Sequence, residues 1–425
     1  MDSSYPSHHF IKAGYIKTCQ VCNSGALLEV LDLGLQPLCD TLLAKEDLSK
    51  PETKYPLSLY WCPECSLAQI NYCVDSGVLY HPNYPYRTGA TKELVEYMAG
   101  LAGSLASDYK LGSGDLVVDL GSNDGTLLNE FKKLGIKVLG VEPTDVAKIA
   151  NKNGIDTVQS FFDIKTASEI KNRYGKASLI TATSMFERAH AIGEVVVGIE
   201  NLLKDDGAFV FESHHLLDII RGGQFDAIYH EHLRTYSLKS LIKLFSYYNF
   251  TVTDVEKGFA FRSNIKVHVS KGKNRPQKSS VAHWLELEEE AGLNNAETYK
   301  IFAERAKKSK EDFLNFIGKI KAQGKSLGAN SCPARCVTLL NYYGVDAGLI
   351  PYIAERPASP KLGMYLPGRH IRIVNNEILT KEQPDYVVLL AWYYAEPIIK
   401  QSKATGLKSD FIIPLPDFKV VKNSD

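Results

Sequence analysis

The chain has 425 residues, and its 49 Lys+Arg balance 49 Asp+Glu to a formal net charge of zero. No basic excess points to a nucleic acid or an anionic membrane surface. Apolar residues at 44% and charged residues at 23% exclude a wholly disordered or fibrous chain, and at roughly 150 residues per domain the length allows about three domains. No run approaches the roughly 18–20 apolar residues of a membrane span. The start, Met1-Asp2-Ser3-Ser4-Tyr5-Pro6, lacks the basic-then-apolar pattern of a signal peptide. The expectation is a soluble, cytoplasmic protein, monomeric or homodimeric, with no nucleic-acid or membrane partner.

Six of the eight cysteines lie in the first 73 residues: Cys19, Cys22, Cys39, Cys62, Cys65 and Cys73. Four of them form two CxxC pairs, Cys19/Cys22 and Cys62/Cys65. A CxxC turn aims two sulfurs at one point, and two such turns complete a tetrahedral thiolate site for zinc. Disulfides and a redox pair are the alternatives, and disulfides are disfavoured without a secretory signal. Four protein ligands close the site, so the zinc is expected to hold the fold rather than do chemistry. Cys39 and Cys73 read as small buried hydrophobes. Cys332 and Cys336 stand at i and i+4 with Pro333 between them and no second pair to join.

Residues 19–75 are turn-rich and β-like, with strand candidates at Leu27–Leu31 and Tyr55–Trp61. An aromatic loop follows, Tyr80-His81-Pro82-Asn83-Tyr84-Pro85-Tyr86, and then a helical pattern from Lys92 to about Tyr109. From Leu116 to about residue 270, apolar strands alternate with helices, the pattern of a doubly wound α/β domain. Residues 271–292 are polar and helix-leaning. Ala296 to Lys321 carries apolar residues at helical spacing: Ile301, Phe302, Ala306, Phe313, Phe316, Ile317 and Ile320. A smaller α/β unit follows, with strands expected at 348–354 and 386–392. The expected division is a zinc-binding domain at 15–75, an α/β cofactor domain at 76–270, a helical linker at 271–323 and a C-terminal α/β domain at 324–420.

The central motif is Val118-Asp119-Leu120-Gly121-Ser122-Asn123-Asp124-Gly125-Thr126. An apolar strand runs into a glycine turn and then a helix, whose N-terminus offers free N–H groups. The spacing is G-x-x-x-G, so the dinucleotide fingerprint G-x-G-x-x-G is not met. The next strand ends in Glu142, placed to grip a ribose diol. Asp119, Gly121, Gly125 and Glu142 look like the S-adenosylmethionine site of class I methyltransferases. Asn123, Ser184 and Phe162 join them as candidate cofactor contacts. Either Phe161 or Phe162 could lie on an adenine, and either could be core.

Four of the 11 histidines fall between 214 and 232: His214, His215, His230 and His232. A histidine beside a carboxylate can remove a proton near neutral pH, and Tyr229 can hydrogen-bond an oxyanion. Satisfied loop histidines, or a metal site of His and carboxylate, are the other readings. Ser237 is a good N-cap for the stretch 238–248.

The order of CxxC…CxxC, cofactor loop, Tyr229-His230-Glu231-His232 and C-terminal α/β unit resembles the sugar-nucleotide C-methyltransferases of the deoxysugar 3-C-methyltransferase type. Supporting stretches include Leu33–Leu38, Leu339-Leu340-Asn341-Tyr342, Tyr365–His370 and Leu390-Ala391-Trp392, and the match runs over about residues 17–400. The resemblance implies a class I S-adenosylmethionine-dependent methyltransferase with Rossmann-like core, acting on a nucleoside-diphosphate 4-keto-deoxysugar. His232, oriented by Glu231, would take the C3 proton, and Tyr229 would help hold the enolate. Tyr84 and Tyr86 would border cofactor and sugar. Arg188, His190, His214 and Arg369 are the further substrate-binding candidates, and the C-terminal domain would help clasp the nucleotide. Methyl transfer to a sugar hydroxyl, or a cofactor-binding homologue with altered activity, are the alternatives.

The chain departs from the family pattern in places. Arg188 stands at a family histidine, with His190 two places later. Ser213-His214-His215 replaces an apolar-Pro-Tyr sequence, and Arg262-Ser263-Asn264 a Gly-Gly-Ser turn. The glycine-rich turn at 328–336 keeps one glycine.

Overall fold

The computed structural model describes residues 5–10, 13–82, 84–259 and 263–423. Asn83 of the aromatic loop and Arg262 lie outside them. The first large sheet pairs Leu28–Gln36, Tyr55–Trp61 and Ala68–Ile70 antiparallel. Its fourth strand, Arg234–Thr235, arrives from far along the chain and pairs with Ala68–Gln69. The segment just before that strand carries His232. The N-terminal sheet is therefore anchored one residue away from His232, and Ile70 N donates to Leu233 O at 3.2 Å.

The second sheet has seven strands. In spatial order they are Phe250–Lys257, Asn264–Lys271, Leu203–His214, Ala177–Thr183, Leu116–Leu120, Lys137–Val141 and Thr157–Val158. The five from Leu203–His214 onward are parallel, and the first two are antiparallel additions. Leu116–Leu120 is buried along its whole length, as a central parallel strand is when helices cover both faces. The chain reverses its winding between Leu116–Leu120 and Ala177–Thr183. In open α/β sheets a ligand crevice lies at the carboxyl ends of the strands at such a switch.

Lys92–Asp108 is helical because Leu94, Met98, Leu101, Ala102 and Leu105 share one face, and all are buried. Ser237 caps Leu238–Ser246, its side chain accepting from Ser240 N. The polar segment after 271 folds into the helix Ser279–Glu290. Its buried Glu288 accepts from Leu238 N at 2.5 Å and Lys239 N at 3.2 Å, satisfying two free N–H groups of the neighbouring helix start. Along Ala296–Ala322 the buried face is Tyr299, Phe302, Ala306, Ser309, Phe313, Ile317 and Ile320. Ile301 sits on the opposite side, 50% exposed, because it is one residue out of phase with that face.

The third large sheet has six strands. Leu327–Asn330 lies between Tyr352–Glu355 and Tyr386–Leu389, and only the last strand, Lys419–Val421, is antiparallel. The strand expected at 386–392 stops at Leu389, and Trp392 opens a one-turn helix instead.

Candidate active site

Cys19, Cys22, Cys62 and Cys65 bring their sulfurs within 4.8 Å of one another. Cys19 and Cys65 are 3.5 Å apart, as are Cys22 and Cys62. A tetrahedron with zinc–sulfur bonds of about 2.3 Å has edges of roughly 3.8 Å, so the four residues fit zinc. Asn23 and Ser66 follow the second cysteine of each turn, or stand next to it, at positive φ (61° and 58°), which folds each pair inward. Cys39 and Cys73 are buried elsewhere, 5% and 3% exposed.

One cavity of about 890 Å³ opens at the switch point of the seven-stranded sheet and reaches the strand ends of the C-terminal sheet. At its first end lie Asp119, Gly121, Asn123, Glu142, Phe161, Phe162 and Ser184. Gly121 has φ 71°, and a Cβ there would stand 2.9 Å from Met185 Cγ, so only glycine fits. Glu142 accepts from Asn123 N at 3.1 Å and from Thr144 N and Oγ1 at 2.9 and 2.6 Å. These bonds fix the carboxylate at the cavity edge with acceptor capacity left on Oε2. Asp119 accepts from Thr181 Oγ1 at 2.7 Å. Burial pushes its carboxyl up to about 7 against that hydrogen bond. This end has the buried acids and backbone approach that S-adenosylmethionine requires.

Asn123 and Gly125 act differently from simple cofactor contacts. The Asn123 side chain ties the aromatic loop down, accepting from Thr88 N at 2.9 Å and donating to Tyr86 O at 3.3 Å. Gly125, at φ 79°, lies off the cavity and packs on Ile155, where a Cβ would be at 3.1 Å. Ser184 holds φ 57°, an uncommon conformation for a non-glycine residue, at the cavity wall.

The middle of the cavity carries the acid–base groups Tyr84, Arg188, His190, His214, Tyr229 and His232. His232 Nδ1 donates to Ala227 O at 2.8 Å. Its Nε2 accepts from Arg188 Nη2 at 3.1 Å. Its ring lies 4.5 Å from His214 and 3.9 Å from Tyr229, centroid to centroid. Burial, then His214 and the Arg188 cation, hold the imidazole well below its usual range, so it is neutral at pH 7.

Glu231 does not orient His232. It lies behind the cavity wall, accepts from Tyr84 OH at 2.8 Å and pairs with Arg188 Nη1. Burial and then Asp40 push its carboxyl up to about 8, with Arg188 opposing. The reason is local geometry: the turn in which His232 N donates to Tyr229 O at 2.8 Å points neighbouring side chains apart. His190 lines the cavity with its Nε2 on Val74 O at 2.7 Å. Arg369 lies outside the cavity, donating to Asn341 O at 2.7 Å. Its loop is drawn onto the zinc-binding domain by Leu43–Tyr365 pairing and by Gly368 N donating to Glu52 at 2.7 Å.

Two of the four clustered histidines are structural. His230 meets Pro56 O at 3.2 Å, and burial lowers it to about 4. His215 is 2.7 Å from Glu288. Glu187, His214 and His232 bring one ligand atom each within 4.8 Å of one another. The Arg188 guanidinium, 3.1 Å from His232 Nε2, opposes a second cation beside that ring.

Three family models match in succession: a zinc binding domain over residues 19–80, a methyltransferase domain over 92–255 and a C-methyltransferase C-terminal domain over 263–416. The C-methyltransferase NovU of Streptomyces niveus is 31% identical over 409 residues, 96% of this chain and 97% of the relative. This chain belongs to the C-methyltransferase family. Among solved structures, 1,6-didemethyltoxoflavin-N1-methyltransferase of Burkholderia thailandensis, bound to S-adenosylhomocysteine, is 18% identical. It covers 42% of this chain and 79% of its own, with a TM-score of 0.33. Magnesium protoporphyrin IX methyltransferase of Synechocystis, with S-adenosylmethionine bound, is 10% identical, covering 42% and 80% with a TM-score of 0.32. Cys19, Cys22, Cys62 and Cys65 of this C-methyltransferase all lie within the matched zinc binding domain. Among its described residues no helix is long and apolar enough to cross a membrane.

The cavity and the loop behind it also hold residues that no motif in the sequence marks. Asp40, in a turn of the zinc-binding domain, lines the cavity. Arg335 donates to Asp226 at 2.7 Å, and Trp392 Nε1 donates to the same carboxylate at 2.8 Å. Together they bolt the loop before His232 to the C-terminal domain. Nothing local marks these residues, since each partner lies more than 100 positions away.

Proposed function

We propose that this C-methyltransferase methylates the carbon beside the ketone of a nucleoside-diphosphate 4-keto-deoxysugar, with His232 as the base. The observation that carries the reading is the single cavity joining the cofactor loop, the neutral His232 and the strand ends of the C-terminal sheet. A nucleotide-linked substrate and a nucleoside cofactor need that length, and a ketone-activated C–H needs a neutral imidazole at its centre. S-adenosylmethionine, when bound by Asp119, Gly121 and Glu142, supplies an electrophilic methyl group. The rest is the work of the chain's own side chains. His232 Nε2 takes the proton, Tyr229 presents its hydroxyl to the sugar, and the rings of Tyr84 and Tyr86 border it from the aromatic loop. The C-terminal strand ends hold the nucleotide, and Cys19, Cys22, Cys62 and Cys65 hold a structural zinc. Placing base and methyl acceptor in one enclosed site supplies much of the rate by positioning. The enzyme works in the cytoplasm on a soluble nucleotide sugar.

The test is mass spectrometry in heavy water, with S-adenosylmethionine and a panel of thymidine-, GDP- and CDP-linked 4-keto-deoxysugars. Product one CH2 heavier, with deuterium entering the α-carbon of unreacted ketosugar, is expected. A product methylated on oxygen, with no exchange, would overturn the carbon-acid reading.

A further inference from the structure

Arg188 occupies an unusual place for a cation. It lies on the one-turn helix Phe186–Arg188, just past the Ala177–Thr183 strand, and its side chain is 19% exposed. Its Nη1 meets Glu231, with Tyr84 OH at 3.4 Å. Its Nη2 stands 3.1 Å from His232 Nε2 and 3.5 Å from Tyr229 OH. The His232 lone pair that should take the substrate proton is therefore already accepting a hydrogen bond. Protonating that nitrogen would also set an imidazolium against the guanidinium. Both obstacles vanish if the guanidinium changes partner as the proton moves.

We propose that Arg188 is a catalytic residue of the proton-abstraction step, its Nη2–H passing from His232 Nε2 to the carbonyl oxygen of the bound ketone. This rests on the carbon-acid reading above. As the α C–H bond breaks, its electron pair forms the C=C bond and the carbonyl π pair moves onto oxygen. The proton goes to the freed Nε2 lone pair. The enolate oxygen then faces the guanidinium and Tyr229 OH, and the new imidazolium faces a cation already neutralised by that oxygen. The groups around His232 are Arg188 and Glu187 from the one-turn helix, His214 from the Leu203–His214 strand, Tyr229 on its own loop and Arg335 from the C-terminal domain. Of these, Arg188 is the one donating to Nε2. A preorganised donor on a developing oxyanion contributes far more in an enclosed site than in water.

The test measures deuterium exchange at the ketosugar α-carbon with S-adenosylhomocysteine bound, as a function of pH, in the full-length protein. Arg188→Ala should slow exchange by about 10²–10³-fold while S-adenosylhomocysteine binding is unchanged. Its acid limb should move to higher pH, because removing a cation beside an imidazole raises the imidazole's pKa. Arg188→Lys should exchange at an intermediate rate with its acid limb near the wild-type position. Wild-type exchange in Arg188→Ala overturns the proposal. So does slowed exchange with an unmoved acid limb, because a guanidinium 3.1 Å from Nε2 must depress that imidazole. If Arg188→Ala does not fold, Arg188→Gln carries the same two readouts. Methylated product without any exchange in the wild-type enzyme fails the carbon-acid reading itself, a result distinct from a failure at Arg188 alone.

Discussion

His232 Nδ1 donates to the main-chain carbonyl of Ala227 at 2.8 Å, so the tautomer of the candidate base is set by backbone and not by a carboxylate. A carbonyl cannot be titrated away, and the Nε2 lone pair stays available over the working pH range once its guanidinium partner moves. His232→Asn should abolish methyl transfer while leaving S-adenosylhomocysteine binding intact, read by turnover and calorimetry.

The pH dependence follows from the depressed imidazole. The proposed base His232 would act in its neutral form, and burial, His214 and Arg188 hold its pKa well below 6.5. Activity should therefore stay flat as pH falls to 6.5 and decline only below it. A kcat/KM profile whose acid limb sits at or above 6.5 would contradict this.

Glu231 touches Tyr84 and Arg188, not His232. Because the Glu231 carboxyl is raised to about 8 and so mostly protonated at pH 7, Glu231→Gln, which keeps a neutral acceptor for Tyr84, should lower kcat by no more than roughly tenfold and leave the acid limb in place. A base-orienting Glu231 would instead give a loss as deep as that of His232→Asn.

Asp119 predicts a stability signature. Its carboxyl is raised from 3.8 to about 7 by burial, so the folded chain keeps a proton that the unfolded chain has released. Stability is then lost as pH rises from about 4 to 7 and stays lost above. Asp119→Asn has no such loss, so without cofactor it should gain stability relative to wild type between pH 4 and 8, by up to roughly 4 kcal/mol. Its cofactor affinity should fall. Denaturant midpoints at the two pH values, with calorimetric cofactor titration, check both halves.

Metal analysis should find one zinc per chain in active protein, and chelation should unfold the N-terminal sheet. Because that sheet includes Arg234–Thr235, zinc removal should also cost methyl transfer. A second equivalent of metal would point to one of two His–carboxylate groups, Glu187/His214/His232 or Asp254/Glu256/His268. Asp226→Ala, which strands the buried Arg335 cation, should destabilise the chain by about 3–5 kcal/mol, read by thermal unfolding.

By itself the sequence determined what depends on short-range pattern. The two CxxC turns, the strand-glycine-helix loop with Glu142 one βαβ unit on, and the amphipathic faces of Lys92–Asp108 and Ala296–Ala322 are all local signals, because backbone periodicity and turn chemistry act over a few residues. Phase within a helix was less legible: Ile301 fits the apolar count yet faces out, since only packing sets which stripe is buried. Four adjacent-looking histidines split into two at the cavity and two in the scaffold. Tertiary structure alone decided that Glu231 serves Arg188 and Tyr84, that Arg369 belongs to a domain contact, and that Asp40 and Arg335 reach the same cavity from different domains. These depend on contacts tens to hundreds of residues apart, where burial and hydrogen-bond satisfaction of the whole fold choose each side chain's partner.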